Sequence, residues 1–160
     1  MAHDIFLNLT GIQGESLDAR HPYEIEVIEW DWSVQQTSMM HGGSGAQAGK
    51  CTVRDLIFEH YVDRASASLM KYCLVGKPID KAVLVMRKAG GVPLEYLRLT
   101  MSNVLITNIR WIGNINMSAS REHVSVSFAQ IEQEYVQQNA RGGAGGTIRA
   151  GFDIKSNKEI

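Results

Sequence analysis

The chain has no long apolar run: stretches such as Val83–Val85 are far too short to span a bilayer, which excludes a transmembrane helix. Its N-terminus, MAHDIFLNLTGIQGES, lacks both a basic leader and an apolar stretch of roughly ten residues, so it does not read as a secretory signal. Only two cysteines are present, Cys51 and Cys73, with no C-x-x-C spacing, a pattern that fits reduced thiols better than a disulfide scaffold. The five histidines (His3, His21, His41, His60, His123) show no paired zinc-ligand spacing, and most of them read as surface or strand-end residues. Charge of one sign is missing too. Sixteen basic against seventeen acidic residues leave a formal net charge of −1, which argues against the electrostatic footprint of a duplex-binding protein. A net charge this small does little to hold copies of the chain apart.

What is present is an ordinary globular composition, 44% apolar and 21% charged over 160 residues, enough for one domain with its own core. Period-2 alternation dominates, the signature of half-buried strands. In EIEVIEWDWSVQ the apolar phase slips between Ile25/Val27 and Ile28/Trp30/Trp32/Val34, which predicts a β-bulge at Val27 or Ile28. LITNIRWIGNINM places Leu105, Ile109, Trp111, Ile115 and Met117 on one face and Asn108, Arg110, Asn114 and Asn116 on the other, a long strand or strand pair. Alternation recurs at Leu97, Leu99 and Met101, and at Val124, Val126 and Phe128. The shift to Ile131 and Tyr135 predicts a second bulge near Ala129.

One segment has helical spacing. Ala65, Leu69, Tyr72 and Cys73 share a face, Asp63 stands as N-cap, Gly76 sits at the C-cap position and Pro78 follows, so a short helix is predicted over about residues 63–75. The fold class is therefore mainly β, a small barrel or sandwich, with one short helix covering an edge or an open end. A glycine-rich loop spans about residues 38–50.

No catalytic constellation is legible. HGGSGA has Ser44 and His41 close together, but the serine-hydrolase elbow needs G-x-S-x-G on a strand-to-helix turn, and Ala46 stands where the second glycine belongs. A small hydrolase using Ser44 and His41 is the alternative from another class. ARGGAGGTIRAG matches neither a P-loop nor a dinucleotide fingerprint and reads as a turn between strands. Glu24, Glu26, Glu29, Glu132 and Glu134 read as solvated strand faces. Trp30, Trp32 and Trp111 read as core residues. No catalytic residue, cofactor or metal site is assigned.

GIQGES, HPYEIEVIEWDW, DLIFEHYVDRASASLMKYCLVGKPIDKAVLVMRKAGG, EYLRLTMSNVLITNI, HVSVSFAQIEQEY and GGTIRAGFDIKSNK, in this order and spacing, resemble the haemolysin-coregulated protein (Hcp) family of bacterial type VI secretion over nearly the whole chain. The resemblance implies a small β-barrel with an attached helix, assembling into homohexameric rings that stack into a tube related in fold to phage tail tubes. It implies effector proteins carried or chaperoned in the lumen, and contacts with sheath and spike components. It also implies a cytoplasmic subunit that is later secreted without a cleaved signal peptide, with no nucleic-acid partner and no membrane insertion. Residues 1–160 are expected to form a single tube domain without a C-terminal toxin extension. A phage-like tail-tube subunit is the alternative that shares the fold. Within the resemblance, Ser38, Met39, Met40, His41, Gly42, Gly43, Ser44, Gly45, Ala46, Gln47, Ala48, Gly49 and Lys50 are expected to form a ring-to-ring contact loop. Ring closure and stacking each need a heterologous interface, one that closes and one that does not.

Overall fold

The computed structural model describes residues 3–38 and 49–160. Six strands carry the framework: β1 (His3–Leu9), β6 (Leu56–Tyr61), β7 (Ile79–Lys88), β8 (Leu94–Ile112), β9 (Arg121–Gln138) and β10 (Ala144–Asp153). Five short ones complete it: β2 (Ile25–Glu26), β3 (Glu29–Asp31), β4 (Val34–Gln35), β5 (Thr52–Val53) and β11 (Lys158–Glu159), together with one helix, α1 (Ser66–Val75). The main sheet runs β11–β10–β9–β8–β7–β1–β2, with β6 attached to β9 and β3 attached to β6, while β4 and β5 form a separate pair. The fold is thus mainly β as expected, but the ladders do not close into a ring of strands. Leu7, Phe58, Leu84, Met101, Val104 and Val124 are fully buried between them, each contributing about 1.5–3 kcal/mol by burial.

The predicted bulge at Val27–Ile28 is a change of partner instead. Glu26 lies opposite Phe6 of β1, and the Val27 N–H donates to Ile5 O at 2.9 Å. One residue later the Ile28 N–H donates to Glu59 O of β6 at 2.8 Å, and Glu29 lies opposite Glu59. Residues 25–31 therefore bridge the two strands that the ladders leave apart. The phase change at Ala129 is real, since Phe128 and Ile131 are both buried. It is no bulge against β8, because Ser102–Gln130 and Val104–Phe128 stay in step. Asn103, the residue between them on β8, has φ +54°, so both strands turn their faces over together.

The bulge in this ladder lies at Thr107, where Ile106 faces Val126 and Asn108 faces Ser125. The Thr107 hydroxyl is held between the Ser125 carbonyl and the Asp55 carboxylate. This extra residue puts Leu105 on the outer face and Ile109 against the core, so the single apolar face expected from Leu105 to Met117 does not form. The strand stops at Ile112. Asn114 then accepts the Asn116 and Met117 N–H groups through its side chain and carbonyl, and this turn leaves Ile115 98% exposed.

The helix begins at Ser66, later than expected, because Asp63 caps the turn before it: its carboxylate accepts the Ala65 N–H at 2.8 Å. Its end is as predicted. Gly76 adopts φ +66°, donates to Cys73 O, and Lys77 donates to Tyr72 O at 3.0 Å, closing the carbonyl end before Pro78. Leu69 inserts fully into the core, and Ser66 anchors the first turn by donating to Glu122 Oε1 at 2.8 Å. The same oxygen lies 2.7 Å from His60 Nε2, and both residues are fully buried. His60 is thus no surface residue. His60 Nε2 and Glu122 Oε1 pair where solvent does not reach, while His60 Nδ1 and Glu122 Oε2 are buried without a hydrogen-bond partner among the described residues.

A strap, residues 13–24, covers the outer face of β1 and β7, burying Phe6 and Val85. It folds back on itself through Gly14 N–H to Tyr23 O and Tyr23 N–H to Ser16 O, both 2.8 Å. His21, buried rather than exposed, stacks on the Phe6 ring at 4.4 Å and lies between the carboxylates of Glu24 and Glu95. Arg87 of β7 grips Asp18 of the strap at 2.6 Å and Asp4 of β1 at 2.9 Å.

Two outcomes follow for stability. Glu122→Ala strands His60 and Ser66 in the interior and is expected to lower the unfolding free energy by about 3–5 kcal/mol, read from urea denaturation; an unshifted midpoint would rule the cluster out as an anchor. The hydrogen bond from Arg87, followed by that from the Arg20 N–H, holds the Asp18 carboxyl well below the usual carboxylate range. A depressed carboxyl stabilises the fold fully above its unfolded value of about 3.9 and loses that contribution as pH falls toward the folded value. The stability gap between wild type and Asp18→Asn should therefore be constant near neutrality and shrink below about pH 4. A gap unchanged through that window would refute the pairing.

Candidate assembly surfaces

The glycine-rich loop is rooted on its own small sheet, in which Val34 faces Val53 and Gln35 faces Thr52. Ser38, Gly49 and Lys50 are the described ends of the expected contact loop; Met39 to Ala48, and with them Ser44 and His41, lie outside the described residues. Gly49 packs close to Thr37, so the two ends of the loop leave the body side by side. Trp32 secures the base by donating its Nε1–H to Arg54 O at 3.0 Å and by packing against Phe128.

Between this hairpin and the main sheet lies an apolar cleft of about 390 Å³, lined chiefly by Trp32, Val34, Cys51, Val53, Ile131 and Phe152. It borders β10, whose inner edge pairs with β9. Its outer edge meets β11 only at Phe152–Asp153, and from Ala144 to Gly151 it has no strand partner among the described residues. Ile148 is 66% exposed on this strand, in a row with Tyr135 of β9 and Leu97 of β8. A long open edge with an exposed apolar side chain is a template for pairing with another chain.

The second glycine patch is the turn that the sequence predicts. Asn139 accepts the Arg141 and Gly143 N–H groups, and Gly142 takes φ +84°, a conformation costly for side-chain-bearing residues. It delivers the chain from β9 into β10. The tryptophans divide. Trp30 and Trp32 are partly buried against the core, whereas Trp111, one residue before the end of β8, is half exposed.

Among the carboxylates expected on solvated faces, Glu24 instead turns in to His21, while Glu26 and Glu29 are exposed. Glu134 sits between Arg98 and Arg149 and pairs with the latter at 2.8 Å. Both cysteines are free. Among the described residues, no group of three or more His, Cys, Asp or Glu side chains is placed to hold a metal, and no helix is long and apolar enough to cross a membrane. The pairings of His21 with Glu95, His60 with Glu122 and Arg87 with Asp18 were not legible in sequence, because the partners lie tens of residues apart.

Residues 6–135 match the family model described as type VI secretion system effector, Hcp. The chain is 38% identical over 159 residues to protein hcp1 of Pseudomonas aeruginosa, with 98% of each chain covered. It is 50% identical to the crystal structure of Hcp1 from Salmonella typhimurium, with a TM-score of 0.85 and all of both chains covered. It is 39% identical to a type VI secretion system effector from Yersinia pestis, with a TM-score of 0.78, 94% of this chain and 99% of that one covered. This is a family of structural secretion-system proteins, secreted by that machine, and not an enzyme family. The match in sequence along most of the chain, joined to the agreement in fold, means that this protein belongs to the Hcp family of the type VI secretion system.

Proposed function

We propose that the chain is the inner-tube subunit of a type VI secretion machine, closing into six-membered rings that stack, with effector proteins carried in the lumen. The observation that carries this reading is the unpaired β10 edge with Ile148 and Tyr135 beside it, in a chain of this family. A heterologous ring needs two different patches on each subunit. One long open edge at one end of the strand path supplies the first.

Stacking needs a further contact that does not close, and the loop rooted on β4–β5 is suited to it. Its ends are held by the hairpin, outside the main sheet, so it can engage a neighbour without straining the core. In this reading the protein itself performs no catalysis, and any toxic activity belongs to the cargo. The subunit waits in the cytoplasm and leaves it with the tube, in contact with sheath and spike.

Light scattering of the purified protein should give a sixfold multiple of the 17.8 kDa chain, with ring-shaped particles in negative stain. A monomer that persists as concentration rises would overturn the reading. Shortening the loop between Ser38 and Lys50 should leave the rings intact and abolish stacking. Loss of the ring itself would reassign the loop to the closing interface.

A further inference from the structure

Two apolar features stand apart on the subunit. One is the turn between β8 and β9, from which Ile115 projects 98% exposed. Asn114 fixes that turn, accepting the Asn116 N–H at 2.9 Å through its side chain and the Met117 N–H at 3.1 Å through its carbonyl. Ile115 is therefore presented in a defined position, which lowers the ordering cost of inserting it into a partner. None of the residues from Gly113 to Ser120 carries a charge. Leu17, another aliphatic side chain that is almost wholly exposed, differs in this respect, since Glu15, Asp18 and Arg20 flank it in the sequence.

The second feature is the apolar cleft beside β10, where Trp32, Val53, Ile131 and Phe152 help to enclose about 390 Å³ and the lining residues carry no charge either. Charged side chains are depleted at the core of protein interfaces, because they lose their water there. Both surfaces meet that condition. A subunit cannot place its own tip in its own cleft. Ten residues of β9 separate Arg121, where the strand leaves the tip, from Ile131 at the cleft. That is about 33 Å of extended strand, and the ladder with β8 runs through it.

We infer that the β8–β9 tip of one subunit inserts Ile115 into the apolar cleft of the next. This rests on the ring reading above: the open β10 edge borders the cleft and is one of the two patches a ring needs, and the tip is the other. A knob and a hole on different parts of one chain make a heterologous contact, which every subunit both gives and receives.

Cys51 gives the contact a direct test, because it lines the cleft and its thiol is free. Ile115→Cys adds a thiol at the tip, and two cysteines are bridged only where their Cα atoms come within about 7 Å. Diamide, whose azo group takes up the two electrons and two protons released as the S–S bond forms, should convert this variant into a ladder of two to six subunits on a non-reducing gel. Wild type should give no ladder, and neither should Ile115→Cys combined with Cys51→Ser. Ile115→Asp should lose the sixfold mass in light scattering while keeping the wild-type circular dichroism, because so exposed a side chain adds nothing to the core of its own subunit. If wild type forms rings and no Cys51-dependent ladder appears, the cleft takes another occupant, a cargo segment or the chain's own segment between Ser38 and Gly49, and the inference fails while the ring reading stands. A ladder that survives Cys51→Ser, one that runs past six, or Ile115→Asp rings as stable as wild type would overturn it in the same way. A wild type that never forms rings defeats both.

Discussion

One strand has to serve three neighbours. β9 borders β8 along nearly its whole length, and on its other edge it pairs first with β6, over Arg121–Val126, and then with β10, from Gln130 onward. A strand presents alternate side chains to opposite faces, so it cannot change sheets without changing phase. The turnover shared by Ala129 and Asn103 meets that constraint without breaking the ladder between β8 and β9. Everything on the β10 side, including its open edge and the apolar cleft, depends on that change of face.

The two layers around this strand are held by different chemistry. Inside, Glu122 ties β9 to His60 on β6 and to Ser66 at the start of α1, so that one carboxylate fixes the helix to the sheet. Outside, Arg87 draws the strap and β1 together through Asp18 and Asp4, with Phe6 stacked between the guanidinium and His21. Hydrophobic burial supplies most of the stability in such a fold, but it is not directional. The polar clusters determine where the helix and the strap sit.

Much of this was legible in sequence because alternation and helical spacing are local. The strand character of residues 25–34, 97–112 and 124–135 and the helix with its Gly76 terminus are legible that way, whereas β1 and β7 are not. A phase slip, however, has the same appearance whether a residue is inserted into one ladder, as at Thr107, or the chain moves to a new partner, as at Val27–Ile28. Only three-dimensional pairing separates the two. Asp63 misled for a similar reason: its carboxylate caps a turn, and the sequence does not distinguish that turn from the helix three residues on. The candidate assembly surfaces were the least visible, since an open edge is defined by the strand that is missing beside it.

The separation of β4 and β5 from the main sheet has a further consequence. The segment between them is closed by a hairpin that shares no ladder with the framework. The entropy of closing such a segment grows only with the logarithm of its length, about 0.6 kcal/mol for each doubling. Insertions, deletions and exchanges there cost the domain little, whereas a single added residue in β9 would turn a whole row of core side chains outward. Evolution can therefore rewrite this one region while the body of the subunit stays the same, and new partners can be acquired without refolding the protein.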